Sequence, residues 1–308
     1  MTSPSPRHRA RTAALVGAAL LLAGCGTTPP AGSTPAVPTS GTPSATVSAT
    51  PSPTPDAPSP TASATPSAPV EPTADATPTA VATPLTCPAS TGESRTRAPG
   101  KGKTVALTFD DGPGPQTLEV ADVLDAAGVV GTFFQTGRHA SEHPEITREL
   151  ARRGHLVAGH SWDHRYPQQV KGGWTTRFVA DQITRTAALL EETTGRPACF
   201  YRPPGGYLDG VPAAARRSGV EVVMWSVDSL DWKQPATTTK AATARIVANA
   251  TRAGDQRNPI VLFHDAKASG EPDSKVSPNR SNTVAALPEV IAWYQARGYE
   301  FVRLDGQS

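Results

Sequence analysis

The aromatic residues of this chain are confined to its last two thirds. No Phe, Tyr or Trp occurs before Phe109 in the 308 residues. A hydrophobic core needs large apolar side chains, so the first third cannot build one. The remaining ~200 residues suit one α/β domain. The formal net charge is only +2 and this part has no Lys/Arg cluster, which argues against nucleic acid as a partner.

The first 24 residues have the pattern of a bacterial export signal. Arginines at positions 7, 9 and 11 precede an apolar stretch, 13–23, which is short for a transmembrane span. The sequence LAGC at 22–25 resembles a lipobox, in which the cysteine becomes the lipidated first residue. We therefore expect a lipid anchor on Cys25 and an extracytoplasmic protein held at the outer face of the membrane. An ordinary signal peptide with an unrelated cysteine is the alternative.

A linker is predicted over residues 25–86. Residues 26–86 contain fifteen prolines, three acidic residues and neither Lys nor Arg. Such a composition cannot bury enough apolar surface to offset the ordering entropy, so we expect disorder. A semi-extended proline-rich tether would carry a folded domain, 87–308, away from the membrane. A passive tail is the alternative.

The two remaining cysteines are predicted to pair. With Cys25 lipidated, Cys87 and Cys199 form an even number in an oxidising compartment. Such a disulfide would close a long loop and stabilise the fold by roughly 4–5 kcal/mol in the chain-entropy model. Two separate thiols are the alternative.

The folded part alternates between short apolar runs and helical patterns. Glycine follows each helical pattern, as expected at a helix C-terminus. The alternation predicts a parallel sheet covered by helices, and seven strands favour a barrel over an open sheet. The predicted strands are 104–109, 130–134, 155–159, 198–201, 220–227, 259–263 and 299–304. The predicted helices are 117–127, 143–153, 178–194, 208–218, 236–253 and 282–297.

Unusual polar residues follow the predicted strands directly. Because α/β barrels build their active sites at the carboxyl ends of strands, we expect these side chains to meet in one functional site. They are Asp110, Asp111, His160, Arg202, Asp228, Asp231 and His264.

Two histidines indicate a metal site. His160 and His164 are four residues apart, which places both on one face if the segment forms a helical turn. Two His and one carboxylate are ligands of catalytic zinc sites. A pair of surface histidines is the alternative. No comparable set of polar residues accompanies the other candidate histidines, which are predicted to be structural or solvated. They are His139, His143 and His155.

Four carboxylates and one further histidine complete the candidate chemistry. Asp110 and Asp111 are adjacent and cannot flank a glycosidic bond as a glycosidase requires. One could bind the metal while the other accepts a proton from water, and spacing alone does not assign the roles. His264 would become a proton donor if Asp228 or Asp231 raised its basicity. A solvated acidic turn and a core histidine are the alternatives.

Five short motifs occur together and in a fixed order. They are TFDDGP at 108–113, HSWDH at 160–164, RPPGG at 202–206, DSLDW at 228–232 and LFH at 262–264. In this order they resemble the five motifs of the polysaccharide deacetylase (NodB-homology) family, and the resemblance covers about residues 101–306.

The resemblance implies a distorted (β/α) barrel, a divalent metal and hydrolysis of acetyl groups on polysaccharides. The metal is often zinc, and a site of two His and one carboxylate also accepts cobalt or manganese. By position, the implied metal ligands are Asp111, His160 and His164. The implied catalytic residues are Asp110 as base, Arg202 that orients it, His264 as acid and Asp231 that supports it. Leu262 and Trp232 would line the acetyl pocket.

One position departs from the family pattern. Gly205 stands where family members often have Tyr, whose backbone N–H is thought to stabilise the oxyanion. Glycine keeps the N–H and loses an aromatic wall of the groove. Tyr207 is a candidate to replace that wall.

Three functions compete. The first is N-deacetylation of peptidoglycan or a chitin-like chain. The second is an esterase for acetylxylan or another O-acetylated glycan, and the third is a non-catalytic wall-binding lipoprotein. The complete set of chemical groups disfavours the third, and the predicted membrane anchor favours the first, since a tethered enzyme acts on its own envelope. We expect a monomer.

Overall fold

The computed structural model describes Cys87 and residues 89–254 and 256–308. The predicted export signal, Cys25 and the predicted tether lie outside the described residues. Among the described helices, none has both the length and the apolar character that crossing a membrane requires.

Strands and helices alternate as predicted for an α/β fold. The strands of the described part are β1 (Ser94–Arg95), β2 (Thr104–Asp110), β3 (Gly131–Gln135), β4 (Leu156–Gly159), β5 (Phe200–Tyr201), β6 (Glu221–Val223), β7 (Val227–Asp228), β8 (Ile260–His264) and β9 (Glu300–Phe301). The α-helices are α1 (Thr117–Ala126), α2 (Gly137–Glu142), α3 (Pro144–Arg152), α4 (Thr176–Thr194), α5 (Val211–Ser218), α6 (Lys240–Ala250) and α7 (Ser281–Gln295). Short 3-10 helices occur at Pro167–Gln169, Pro204–Gly206 and Asp231–Lys233.

The sheet is parallel and strongly curled. Its strand order is β1-β6-β5-β4-β3-β2-β8-β7, with β9 also paired to β2. β6 and β7 lie near opposite ends of this order, although only residues 224–226 separate them. A link of that length spans at most ~14 Å, so the two ends of the sheet must approach each other. This confirms the distorted barrel expected from the sequence.

Two strand predictions were wrong in detail. The predicted strand 220–227 is divided into β6, which pairs with β5, and β7, which pairs with β8. β1 was missed because a run of two residues carries no periodic signal. The helix α2 was also missed, since six residues are too few for a clear helical pattern.

The core is densest around the central strand β2, in which every residue is buried. Phe109 of β2 stacks on Phe133 of β3 at 4.9 Å and on Phe263 of β8 at 5.7 Å between ring centroids. Each ring is fully buried, and such burial stabilises the fold by roughly 1.5–3 kcal/mol per side chain. These strands are therefore rigid supports for the residues at their carboxyl ends.

The helix ends follow local sequence signals. α4 ends at Gly195 and α5 at Gly219, both in the left-handed region with φ of 68°, so the predicted glycine stops are confirmed. α6 begins later than predicted because Thr239 caps it, its side chain accepting a hydrogen bond from the backbone N–H of Ala242.

A disulfide joins Cys87 to Cys199, with an S–S distance of 2.08 Å. The two residues are 112 positions apart in the sequence. The bond ties the first described residue to the segment just before β5, so the chain enters the folded part at a fixed point.

Candidate active site

One end of the barrel collects the polar residues that follow the strands. Parallel register places Asp110, the last residue of β2, directly opposite His264, the last residue of β8. A cavity of about 360 Å³ opens at this end. The predicted residues that line it are Asp110, Asp111, His160, His164, Gly205, Tyr207, Asp228, Trp232, Leu262 and His264. Arg202 and Asp231 are buried and contact this set from behind.

His160 and His164 converge, although HSWDH does not form the helical turn that would place them on one face. The segment is a loop after β4, with φ of 65° at Ser161 and 52° at His164. The hydroxyl of Ser161 accepts a hydrogen bond from the backbone N–H of His164 at 3.0 Å and closes this loop. The two rings come to 4.9 Å between centroids.

Asp111 lies between the two imidazoles. Its Oδ1 is 3.5 Å from His160 Nε2 and 3.3 Å from His164 Nε2. Ligand atoms of a tetrahedral ion with bonds of about 2.0–2.1 Å lie about 3.3 Å apart. This Oδ1 is buried and has no hydrogen-bond partner among the described residues. The three side chains therefore fit a divalent metal ion.

The protonation states of these residues suit a metal as well. His160 Nδ1 donates to the carbonyl of Arg202 at 2.7 Å, so Nε2 is the ring nitrogen that a metal ion would take. Burial lowers the pKa of His164 to about 4, so its imidazole is neutral at pH 7. Burial alone would raise the pKa of Asp111, but the neighbouring imidazoles of His164 and His160 hold it well below its usual range.

Asp110 is held by a buried arginine. Arg202 Nη1 donates to Asp110 Oδ1 at 2.7 Å and to the hydroxyl of Thr108 at 2.9 Å. The remaining guanidinium donors bind the carbonyls of Val223 and Met224. Because every contact fixes the guanidinium plane, Asp110 has one oriented oxygen and keeps Oδ2 for the cavity, 3.7 Å from His160 Nε2.

His264 is paired with Asp231. Its Nδ1 donates to Asp231 Oδ1 at 2.7 Å, and Asp231 Oδ2 accepts from the hydroxyl of Thr283 at 2.8 Å. Burial opposes protonation, but the charge and the hydrogen bond of Asp231 raise the pKa of His264 to about 9. Asp228, the alternative partner left open by the sequence, instead accepts from the backbone N–H of Leu230 and lines the cavity.

Comparison with known proteins agrees with this geometry. A family model described as polysaccharide deacetylase matches residues 97–223. A peptidoglycan-N-acetylglucosamine deacetylase of Bacillus cereus is 32% identical over 216 residues, which are 69% of this chain and 91% of that protein. This chain belongs to the polysaccharide deacetylase family.

Two further relatives show the extent of the similarity. The peptidoglycan-N-acetylglucosamine deacetylase PgdA of Listeria monocytogenes is 34% identical over 204 residues, which are 66% of this chain. The matched part is 38% of the length of that relative. The crystal structure of the Bc1960 peptidoglycan N-acetylglucosamine deacetylase superposes with a TM-score of 0.57 at 28% identity, over 68% of this chain and 89% of that one.

Two tyrosines fill the space beside the glycine that departs from the family pattern. Gly205 has φ of 60°, and a Cβ added to it would lie 2.8 Å from Tyr166 Cε1 and 3.1 Å from Tyr207 Cε2. Tyr207 is held against Tyr166 at 5.8 Å and Trp174 at 6.2 Å between ring centroids. The space for a side chain at position 205 is therefore already filled, and Tyr207 supplies an aromatic wall of this cavity.

Several residues of the site were not predicted from the sequence. The cavity is also lined by Tyr166, Trp225, Glu271 and Val276. Glu271 lies in a loop without motif or periodicity, so no sequence signal could have found it. Asp265, directly after His264, is buried behind the cavity and does not line it, and burial raises its pKa to about 7. Its position directly after a predicted strand was a sequence signal that could have identified it as a residue near the site.

The three remaining histidines of the described residues have different surroundings. His139 Nδ1 donates to the backbone carbonyl of Asp111 at 2.8 Å. It therefore helps to position Asp111, which is a candidate metal ligand. His155 is buried, its Nδ1 accepting from the backbone N–H of Gly131. His143 is half exposed and lies 3.6 Å from Glu145. The last two are structural and solvated, as expected.

Proposed function

We propose that this chain removes N-acetyl groups from an amino-sugar polysaccharide, with cell-wall peptidoglycan as the substrate. One observation carries the proposal. The buried pairs Asp110–Arg202 and His264–Asp231 lie around one cluster of candidate metal ligands. Amide hydrolysis needs a base for the attacking water and an acid for the leaving amine, and the site offers both. The names of the similar proteins favour peptidoglycan over an O-acetylated glycan.

Asp111, His160 and His164 would hold the metal, and we propose zinc, although the same ligand set accepts cobalt or manganese. A divalent ion bound there polarises the acetyl carbonyl and makes water more acidic. The ligand set leaves room for water and substrate, as catalytic sites require.

The chain's own residues supply proton transfer. Asp110 Oδ2 takes a proton from the attacking water, while Arg202 holds Oδ1 and keeps the carboxylate oriented. His264 carries the proton that the leaving nitrogen needs, and Asp231 keeps the other ring nitrogen protonated and stabilises the imidazolium. We assign the backbone N–H of Gly205 to the oxyanion, and Leu262 and Trp232 to the acetyl methyl group.

We also propose that the enzyme works at the outer face of the cell membrane as a monomer. A lipid on Cys25 would anchor it, and the proline-rich segment 26–86 would let the domain reach into the wall. The support is the order of charged, apolar and lipobox residues, 1–25, followed by a segment without aromatic residues.

The test compares three substrates under identical conditions. The zinc-loaded protein is incubated with peptidoglycan, a chitooligosaccharide and acetylxylan, and acetyl loss is followed by mass spectrometry, with Asp110→Asn as the inactive control. We expect loss of acetyl groups from the amino-sugar glycans. Activity on acetylxylan alone would identify an esterase, and no activity on any of the three would identify a non-catalytic binding protein.

A further inference from the structure

Two carboxylates in the cavity wall lack an ion-pair partner among the described residues. Asp110 is paired with Arg202, and Asp111 lies between two imidazoles. Asp228 and Glu271 line the same cavity, and among the described residues neither forms an ion pair. Of these two, Asp228 accepts a hydrogen bond from the backbone N–H of Leu230, whereas the carboxylate of Glu271 accepts, among the described residues, only from the phenol of Tyr166.

Glu271 is held in place by contacts on both sides of its loop. The hydroxyl of Tyr166 donates to Glu271 Oε1. Lys267 donates to the backbone carbonyl of Glu271 and pairs with Asp273 at 2.9 Å. The ammonium of Lys267 thus stabilises the loop and makes no ion pair with the carboxylate of Glu271.

A half-buried carboxylate without an ion-pair partner is unfavourable. Burial, together with the charge of Asp111, raises the pKa of Glu271 above its usual value, and the Tyr166 hydrogen bond and the charges of His264 and Arg280 offset this only in part. A cationic group entering the cavity would relieve this cost, whereas a second carboxylate would increase it. Glu271 is therefore positioned to distinguish a cationic sugar from a neutral or anionic one.

We propose that Glu271 is a specificity-determining residue that binds the ammonium group of a glucosamine unit in the glycan. This inference rests on the proposed function, because deacetylation turns a neutral acetamido group into an ammonium group. A glycan that already carries free amines would then bind more tightly than a neutral one of the same length. Successive deacetylations along one chain would be favoured by the same contact.

The test measures binding of two inert ligands by calorimetry. Fully deacetylated chitotetraose carries four ammonium groups, and cellotetraose has the same linkage with hydroxyl groups in their place, so neither can be deacetylated. For Glu271→Gln we expect about fivefold weaker binding of the cationic ligand and a much smaller change for cellotetraose. Added salt should shrink the difference between the two ligands in the unaltered protein.

Two matched variants make the result specific. Asp209→Asn removes one carboxylate from an exposed position near Tyr207 that does not line the cavity, and it should leave both affinities unchanged. Asp228→Asn removes the other uncompensated carboxylate. Equal losses for both ligands in Glu271→Gln, or a selective loss in Asp228→Asn alone, would overturn the proposal.

The outcomes for the two proposals remain separate. Binding of these ligands requires no turnover, so a protein that binds them with the expected charge preference and hydrolyses no substrate contradicts only the proposed function. A protein that deacetylates peptidoglycan but shows no charge preference at Glu271 contradicts only this inference.

Discussion

His264 and Asp231 share two hydrogen bonds. The imidazole Nδ1 donates to Oδ1 at 2.7 Å, and the backbone N–H of the same histidine donates to Oδ2 at 2.8 Å. Because an ionised carboxylate can only accept, the proton is fixed on Nδ1 and Nε2 is the ring nitrogen that faces a ligand. This pair supports the assignment of His264 as the acid that protonates the leaving amine.

Removing that acid should separate amide from ester hydrolysis. An amine cannot leave without a proton, whereas the leaving group of an aryl acetate departs unaided. We expect His264→Ala to lose about 10²–10⁴-fold in kcat on an N-acetylated oligosaccharide and to keep far more of its rate on an aryl acetate. Asp110→Asn should lose both activities, since both need attack by water. Equal losses on the two substrates in His264→Ala would remove the general-acid role.

Replacing Asp231 should move the pH dependence. His264 must be protonated to act as an acid, and its pKa is raised to about 9, so activity should persist to about that pH and fall above it. Asp231→Asn removes the charge that raises the pKa, so the basic limb of kcat/KM should shift to lower pH. NMR titration of the His264 ring in the metal-free protein gives an independent measure. If Asp231→Asn shifts neither the basic limb of kcat/KM nor the titration of the His264 ring, the pairing of His264 with Asp231 does not set this pKa.

Removing the metal should abolish activity and spare the fold. The cluster of Asp111, His160 and His164 joins loops at the rim, while the core lies around β2. We expect a chelator, His160→Ala and His164→Ala each to abolish deacetylation, and the far-ultraviolet circular dichroism to survive all three. Full activity after chelation, with no metal by elemental analysis, would reject the site.

Adding one methyl group at position 205 should disturb the aromatic wall. Both Gly205→Ala and Gly219→Ala place an L side chain at positive φ, which costs about 1–2 kcal/mol of unfolding free energy. Only at Gly205 does the new Cβ meet Tyr166 and Tyr207, since Gly219 has open space around it. We therefore expect a raised KM in Gly205→Ala and unchanged kinetics in Gly219→Ala, measured on an oligosaccharide. Similar kinetic constants in both variants would show that the aromatic wall beside Gly205 does not contribute to substrate binding.

Local signals in the sequence determined most of the fold. The buried strand β2 spans Thr104–Asp110 and was predicted at 104–109, because a continuous apolar run followed by polar residues needs no tertiary information. Gly195 and Gly219 marked helix ends because glycine adopts positive φ without steric cost. Polar residues placed after strands predicted a site at one end of the barrel, since parallel strands bring their carboxyl ends together.

Tertiary structure alone decided how those residues contact one another. The sequence spacing of His160 and His164 suggested a helical turn, but they converge through a loop, and only the neighbouring Asp111 shows that they share one centre. The choice of Asp231 over Asp228 as the partner of His264 and the entry of Glu271 into the cavity depend on where distant loops pack. Such contacts join residues far apart in the chain, so no periodicity or local propensity encodes them.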